Sequence, residues 1–226
     1  MVSRKKRVNI TCTVVVMIIL AMAVSGCSLG ETRCKDVSRY PEILSEHPNL
    51  RTGYLVFPKR IPDGSLNDAE FFFYEADDIF DPSAEIVLRC TYHDADFAGE
   101  IERLEKLVKT SPAGEKPILK DDGTRFSVPA YIAEYAEDDS FEYAAVTGQR
   151  EITYVYLSFR PVYKLEAVPA AGLPLDYPNY GEHPAGSESR GREPKDSYNI
   201  YEFLSTDKDG NPIRCISYTE DDWPVH

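Results

Sequence analysis

The sequence contains no His-Glu-x-x-His, no pair of Cys-x-x-Cys motifs, no glycine-rich phosphate loop behind a strand and no Gly-x-Ser-x-Gly elbow. These gaps remove the motif-borne routes to a zinc protease, a zinc ribbon, a nucleotide-binding enzyme and an α/β-hydrolase. Methionine stops at Met22, and tryptophan occurs once, at Trp223. Basic residues are in short supply, 25 against 38 acidic ones among 226, for a net charge of −13. That balance argues against nucleic acid, whose binding depends on neutralising phosphates. It also argues against electrostatic adhesion to anionic lipid. It suits an exposed domain kept soluble by its charge.

What is present begins at the N-terminus. Arg4, Lys5, Lys6 and Arg7 make a basic start, and an apolar run from Ile10 to Val24 follows, interrupted by Thr11, Cys12 and Thr13. The run is short for a spanning helix and right for the apolar part of a signal peptide. It ends in Val24-Ser25-Gly26-Cys27, which resembles the lipobox of bacterial lipoproteins. The resemblance implies cleavage between Gly26 and Cys27 by signal peptidase II and a diacylglyceryl group on the Cys27 sulfur. It also implies a domain anchored to the cell membrane and facing the outside. Two acyl chains bury roughly thirty methylenes at about 0.8 kcal/mol each, a hold that is effectively permanent. The plain alternative is an uncleaved N-terminal helix with Cys27 an ordinary thiol.

Residues 1–26 hold four basic residues and no acid, so the remaining 200 carry 21 basic against 38 acidic residues, a net −17. They read as a lipidated tether over residues 27–35 and a single domain over residues 36–226. Cys34, Cys90 and Cys215 allow at most one disulfide. Cys90 and Cys215 both sit in strand-like surroundings, which leaves open two buried thiols or a Cys90–Cys215 bridge.

Period-two alternation marks the strands. It is cleanest over Ala84–Tyr92, with Glu70–Glu75 before it, and strands are also expected over Gly53–Phe57 and Phe126–Tyr135. Pro129 would push the last of these to a sheet edge. Phe141–Val146 and Ile152–Phe159 flank Thr147-Gly148-Gln149-Arg150 as a hairpin. Tyr154 and Tyr156 lie on one face of the second strand and Val155, Leu157 and Phe159 on the other, as in a central strand or one with a face against a partner. Tyr198–Leu204 and Ile213–Tyr218 read as a last hairpin. Pro41 opens a short helix that Pro48 stops. A longer amphipathic helix spans about 95–109, with Phe97, Ile101, Leu104 and Val108 on one face.

Between Pro161 and Asp196, six prolines and four glycines fall in thirty-six residues. A structureless stretch of that length is a functional loop or a disordered excursion. Leu173–Tyr180 has enough apolar surface to pack down; Gly181–Pro194 has almost none and should stay mobile.

Few constellations carry chemistry. Asp207-Lys208-Asp209-Gly210-Asn211 fails the calcium-loop spacing and reads as an Asp-Gly turn. His93, Asp94 and Asp96 read as a strand end and helix caps before they read as metal ligands. Cys34 and His47 share no motif. No catalytic residue, metal or cofactor is assigned. The remaining candidates are aromatic: Tyr177, Tyr180 and His183 cluster in the long loop, and tyrosine presents an apolar face with a hydrogen-bonding tip to a protein, peptide or glycan.

The expected fold is α+β, a mostly antiparallel sheet of hairpins with one amphipathic helix packed on a face. The alternative is two small sheet domains joined near residues 112–124. The lipobox, the Leu88-Arg89-Cys90-Thr91-Tyr92 strand leading into a helix and the Phe141-Glu142-Tyr143 hairpin together look like uncharacterised surface lipoproteins of Gram-positive bacteria. That resemblance implies no activity. Two functions stand: a non-enzymatic surface binding module, or a small cell-surface hydrolase.

Overall fold

The computed structural model describes residues 31–46, 54–76, 83–110, 118–135, 140–158 and 165–175, together with 177, 200 and 204. Alternation builds one seven-stranded antiparallel sheet. Its strands are β1 (Glu31–Cys34), β2 (Ala69–Ala76), β3 (Ser83–Thr91), β4 (Leu119–Asp121), β5 (Ala130–Tyr135), β6 (Ser140–Ala145) and β7 (Glu151–Ser158). Their spatial order is β1-β2-β3-β7-β6-β5-β4. β7 is therefore the middle strand, as its large side chains on both faces imply. β3 pairs with the whole of β7, from Ala84↔Ser158 to Thr91↔Glu151. The two halves of the chain thus share one sheet.

Each face of the sheet has its own core. On the first face lie Phe71, Phe73, Ile86, Leu88, Cys90, Ile152, Tyr154 and Tyr156, all buried. Two helices cover it, α1 (Tyr40–Glu46) and α2 (Asp94–Thr110). From α2, Leu104 is fully buried, and Phe97, Ile101, Leu107 and Val108 pack beside it. Among the described residues no helix is long and apolar enough to cross a membrane.

On the second face lie Val87, Ile132, Phe141, Tyr143, Val155 and Leu157. Its cover comes from the proline-rich stretch. Leu165, Val168, Leu173 and Tyr177 pack there, with a short 3-10 turn at Ala170–Gly172. The described part of that stretch is therefore an ordered strap, not a structureless loop, because a sheet with two apolar faces needs a second lid. Ile200 and Leu204 complete it; both are buried and helical. A four-residue spacing puts them on one helix face, so the strand expected over Tyr198–Leu204 does not form at these positions.

Three further expectations differ from the structure. Gly53–Phe57 is not a strand where described: Tyr54 has φ of 50°, which breaks an extended run, and the Leu55 N–H goes to the Glu142 carboxylate across the first face. The Pro129 strand is not at an edge. β5 starts after the proline, at Ala130, and pairs on both sides, while β4 takes the edge. Residues 31–34, expected in the tether, are the ordered strand β1, paired from Glu31↔Ala76 to Cys34↔Phe73.

Candidate functional site

The strap covers the second face unevenly. Its core spans β5, β6 and β7 and takes in Val87 of β3, and beside it a cleft remains over β1, β2 and β3. Alternation then decides which side chains turn to this face: Arg33 from β1, Glu70, Phe72 and Tyr74 from β2, and Glu85, Val87 and Arg89 from β3, of which Glu85 and Val87 are buried. With Lys35 just past β1 and the strap's Glu166–Pro169 as the far wall, these side chains bound a cleft of about 830 Å³.

The register sets the chemistry in rows. Arg33, Tyr74 and Glu85 lie side by side, then Phe72 with Val87, then Glu70 with Arg89. The Arg33 guanidinium sits 5.2 Å from the Tyr74 ring centre and 3.1 Å from Glu31. Lys35 Nζ lies 5.9 Å over the Phe72 ring. Arg89 bridges Glu70 at 2.6 Å and Glu151 at 3.5 Å. Glu85 is 1% exposed at the base. The cleft thus offers aromatic faces, aliphatic floor and charges of both signs, with no serine, cysteine or histidine among its lining residues.

A second polar cluster lies under α2. The Tyr92 and Tyr154 hydroxyls are 2.7 Å apart, and Tyr154 donates to Glu100 Oε1 at 2.7 Å. Arg103 grips Glu100 through two bonds of 2.8 and 2.6 Å and donates to the carbonyls of Leu55 and Val56. Burial opposes the charge on Arg103, but the Glu100 bonds outweigh it and raise its pKa. Burial pushes the Cys90 thiol up to about 12, tempered by a bond from Tyr92. A thiol so placed is not a nucleophile near neutral pH. This cluster is interior polar wiring that ties α2 to β7 and to the 54–57 segment.

The sequence candidates fall as follows. Tyr177 is half-buried against the second core; its hydroxyl accepts the Leu165 N–H at 3.0 Å. It is not among the cleft's lining residues but fixes the residue that precedes Glu166. Tyr180, His183 and Cys27 lie outside the described residues. Cys34 and Cys90 are free thiols; Cys215, the other half of the possible bridge, lies outside the described residues. His93 is exposed with its ring against Gly64. Among the described residues no group of three His, Cys, Asp or Glu side chains could hold a metal ion. The cleft itself was missed because its residues come from three strands and a strap. A visible trace was the run Phe71-Phe72-Phe73-Tyr74, whose even members turn away from the helix-covered face. No protein-family model, no curated protein and no solved structure matches this chain, so its own residues carry the functional reading.

Proposed function

We propose that the chain is a lipid-anchored extracytoplasmic binding module that takes an extended peptide of a partner protein into the cleft beside β1. The observation that carries the reading is the paired-row chemistry of the cleft: Arg33 on Tyr74, Lys35 on Phe72, Arg89 on Glu70. Aromatic planes and charges of both signs suit peptide side chains and backbone better than uncharged sugars, which have no counter-charge to offer. The Val24-Ser25-Gly26-Cys27 motif supports the anchor on Cys27 and, with it, a position on the outside of the cell membrane.

Two measurements test this. Cys27→Ala should leave the full-length precursor, read by mass spectrometry; a chain of the variant starting at residue 27 would overturn the lipid assignment. The detergent-solubilised chain should retain members of a random-peptide array, and Tyr74→Ala with Phe72→Ala should reduce retention at least tenfold with the circular dichroism spectrum unchanged. Retention on a glycan array alone, or peptide retention indifferent to both substitutions, would sink the peptide reading.

A further inference from the structure

We infer that β1 is the membrane-facing edge of the domain, so that the bilayer's headgroup layer is a neighbour of the Glu31 end of the sheet and of the mouth of the cleft. The inference rests on the lipid assignment at Cys27 and adds what the strand ladder says about distance. Three residues, Ser28-Leu29-Gly30, separate Cys27 from Glu31. In any conformation a chain spans at most about 3.6 Å per residue, so the sulfur-bearing residue lies within roughly 15 Å of the start of β1. Had residues 31–35 been tether, the reach would double.

The link cannot lengthen without breaking the sheet. Each of the four residues of β1 is matched to β2, Glu31↔Ala76 through Cys34↔Phe73. Position in the sheet matters equally. β1 is at the end of the strand order, and Glu31, Thr32, Arg33 and Lys35 on and just past it are exposed, as an edge that meets a surface must be. The opposite edge, β4, lies six strand spacings away, about 29 Å at 4.8 Å each. Arg33 and Lys35 belong both to this edge and to the cleft. A ligand reaching them therefore does so close to the bilayer. The net charge of −17 left after residue 26 opposes attraction to anionic lipid, so covalent tethering, not electrostatics, sets the proximity.

The test uses the full lipidated chain in phosphatidylcholine–phosphatidylglycerol vesicles carrying a lipid with a nitroxide headgroup. A fluorescent non-natural amino acid is placed at Thr32 or, in a second protein, at Asp122 beside β4. Quenching should be at least threefold stronger at Thr32, should persist in high salt, and should fall to the Asp122 level when a long Gly-Ser spacer is inserted between Gly30 and Glu31. Equal quenching at the two positions, loss of the difference in salt, or indifference to the spacer would overturn the inference. Mass spectrometry of the N-terminal peptide separates a failure of the premise: an unmodified Cys27 removes the anchor itself, whereas a lipidated Cys27 with flat quenching removes the orientation alone.

Discussion

Glu100 shows how much one side chain can organise. It lies in the second turn of α2, its side chain 10% exposed, and accepts from Tyr154 and twice from Arg103. Arg103 in turn satisfies the carbonyls of Leu55 and Val56, in a segment that forms no ladder. Removing the carboxylate takes an acceptor from the fully buried Tyr154 hydroxyl and leaves the part-exposed Arg103 only the Leu55 and Val56 carbonyls. Glu100→Ala should cost about 2–3 kcal/mol in chemical denaturation, the range for hydrogen bonds to charged groups and the desolvation they offset. Glu100→Gln keeps an acceptor for Tyr154 and should cost less. A loss for Glu100→Ala no larger than that of an exposed helix residue would mean that the network does not form. Nothing in the sequence singled Glu100 out from its neighbours Glu102 and Glu105. Which of three acids turns inward depends on the height of the helix over β7, and that is a tertiary quantity.

The helix carrying Glu100 was legible for the opposite reason. Phe97, Ile101, Leu104 and Val108 recur at helical spacing, and Asp94 and Asp96 in the first turn complement the helix dipole. Leu104 is fully buried, so Leu104→Ala should cost about 2–5 kcal/mol, whereas Glu102→Ala, on an exposed position, should cost less than about 0.5 kcal/mol. Equal losses in urea titrations would contradict the packing. The β2–β3 and β6–β7 hairpins were readable in the same way, because alternation is a local signal. The strap was not. Leu165, Val168, Leu173 and Tyr177 share no period, since an irregular segment buries whichever side chains its turns point inward. Its fixings are single contacts: Tyr143 donates to the Gly172 carbonyl at 3.1 Å, and the Leu175 N–H reaches Arg125 at 2.8 Å. Gly172 is tight as well; a Cβ there would lie 3.1 Å from Thr147 and 3.2 Å from Val168. Prolines and glycines, which usually mark a loop, here mark a lid that must fit a fixed surface. The cleft follows from where that lid ends, so it was legible only after the lid was.

At the scale of the whole molecule, the tyrosines among the described residues are mainly core material. Tyr40, Tyr143, Tyr154 and Tyr156 are fully buried, and Tyr92 and Tyr131 are 2% exposed. β-Rich sheets favour such residues on their faces, and here both faces are covered. Burial raises the phenols of Tyr40, Tyr54, Tyr92, Tyr131, Tyr143 and Tyr154 above their ordinary value of 10.0. It raises the Cys90 thiol from 9.0 to about 12. All of these groups are neutral when protonated, so the folded state holds its protons more tightly than the unfolded chain does. Their contribution to stability is complete below about pH 9 and is lost as the pH climbs through the unfolded values and towards the folded ones. Stability should therefore be flat from neutral pH to about 9 as far as these groups are concerned, then fall steeply above 10. Absorbance of the buried tyrosinates should rise only above pH 10, in one transition that coincides with loss of the circular dichroism signal. A single smooth titration of all the tyrosines near pH 10, with the fold intact, would show that the two cores are open to water.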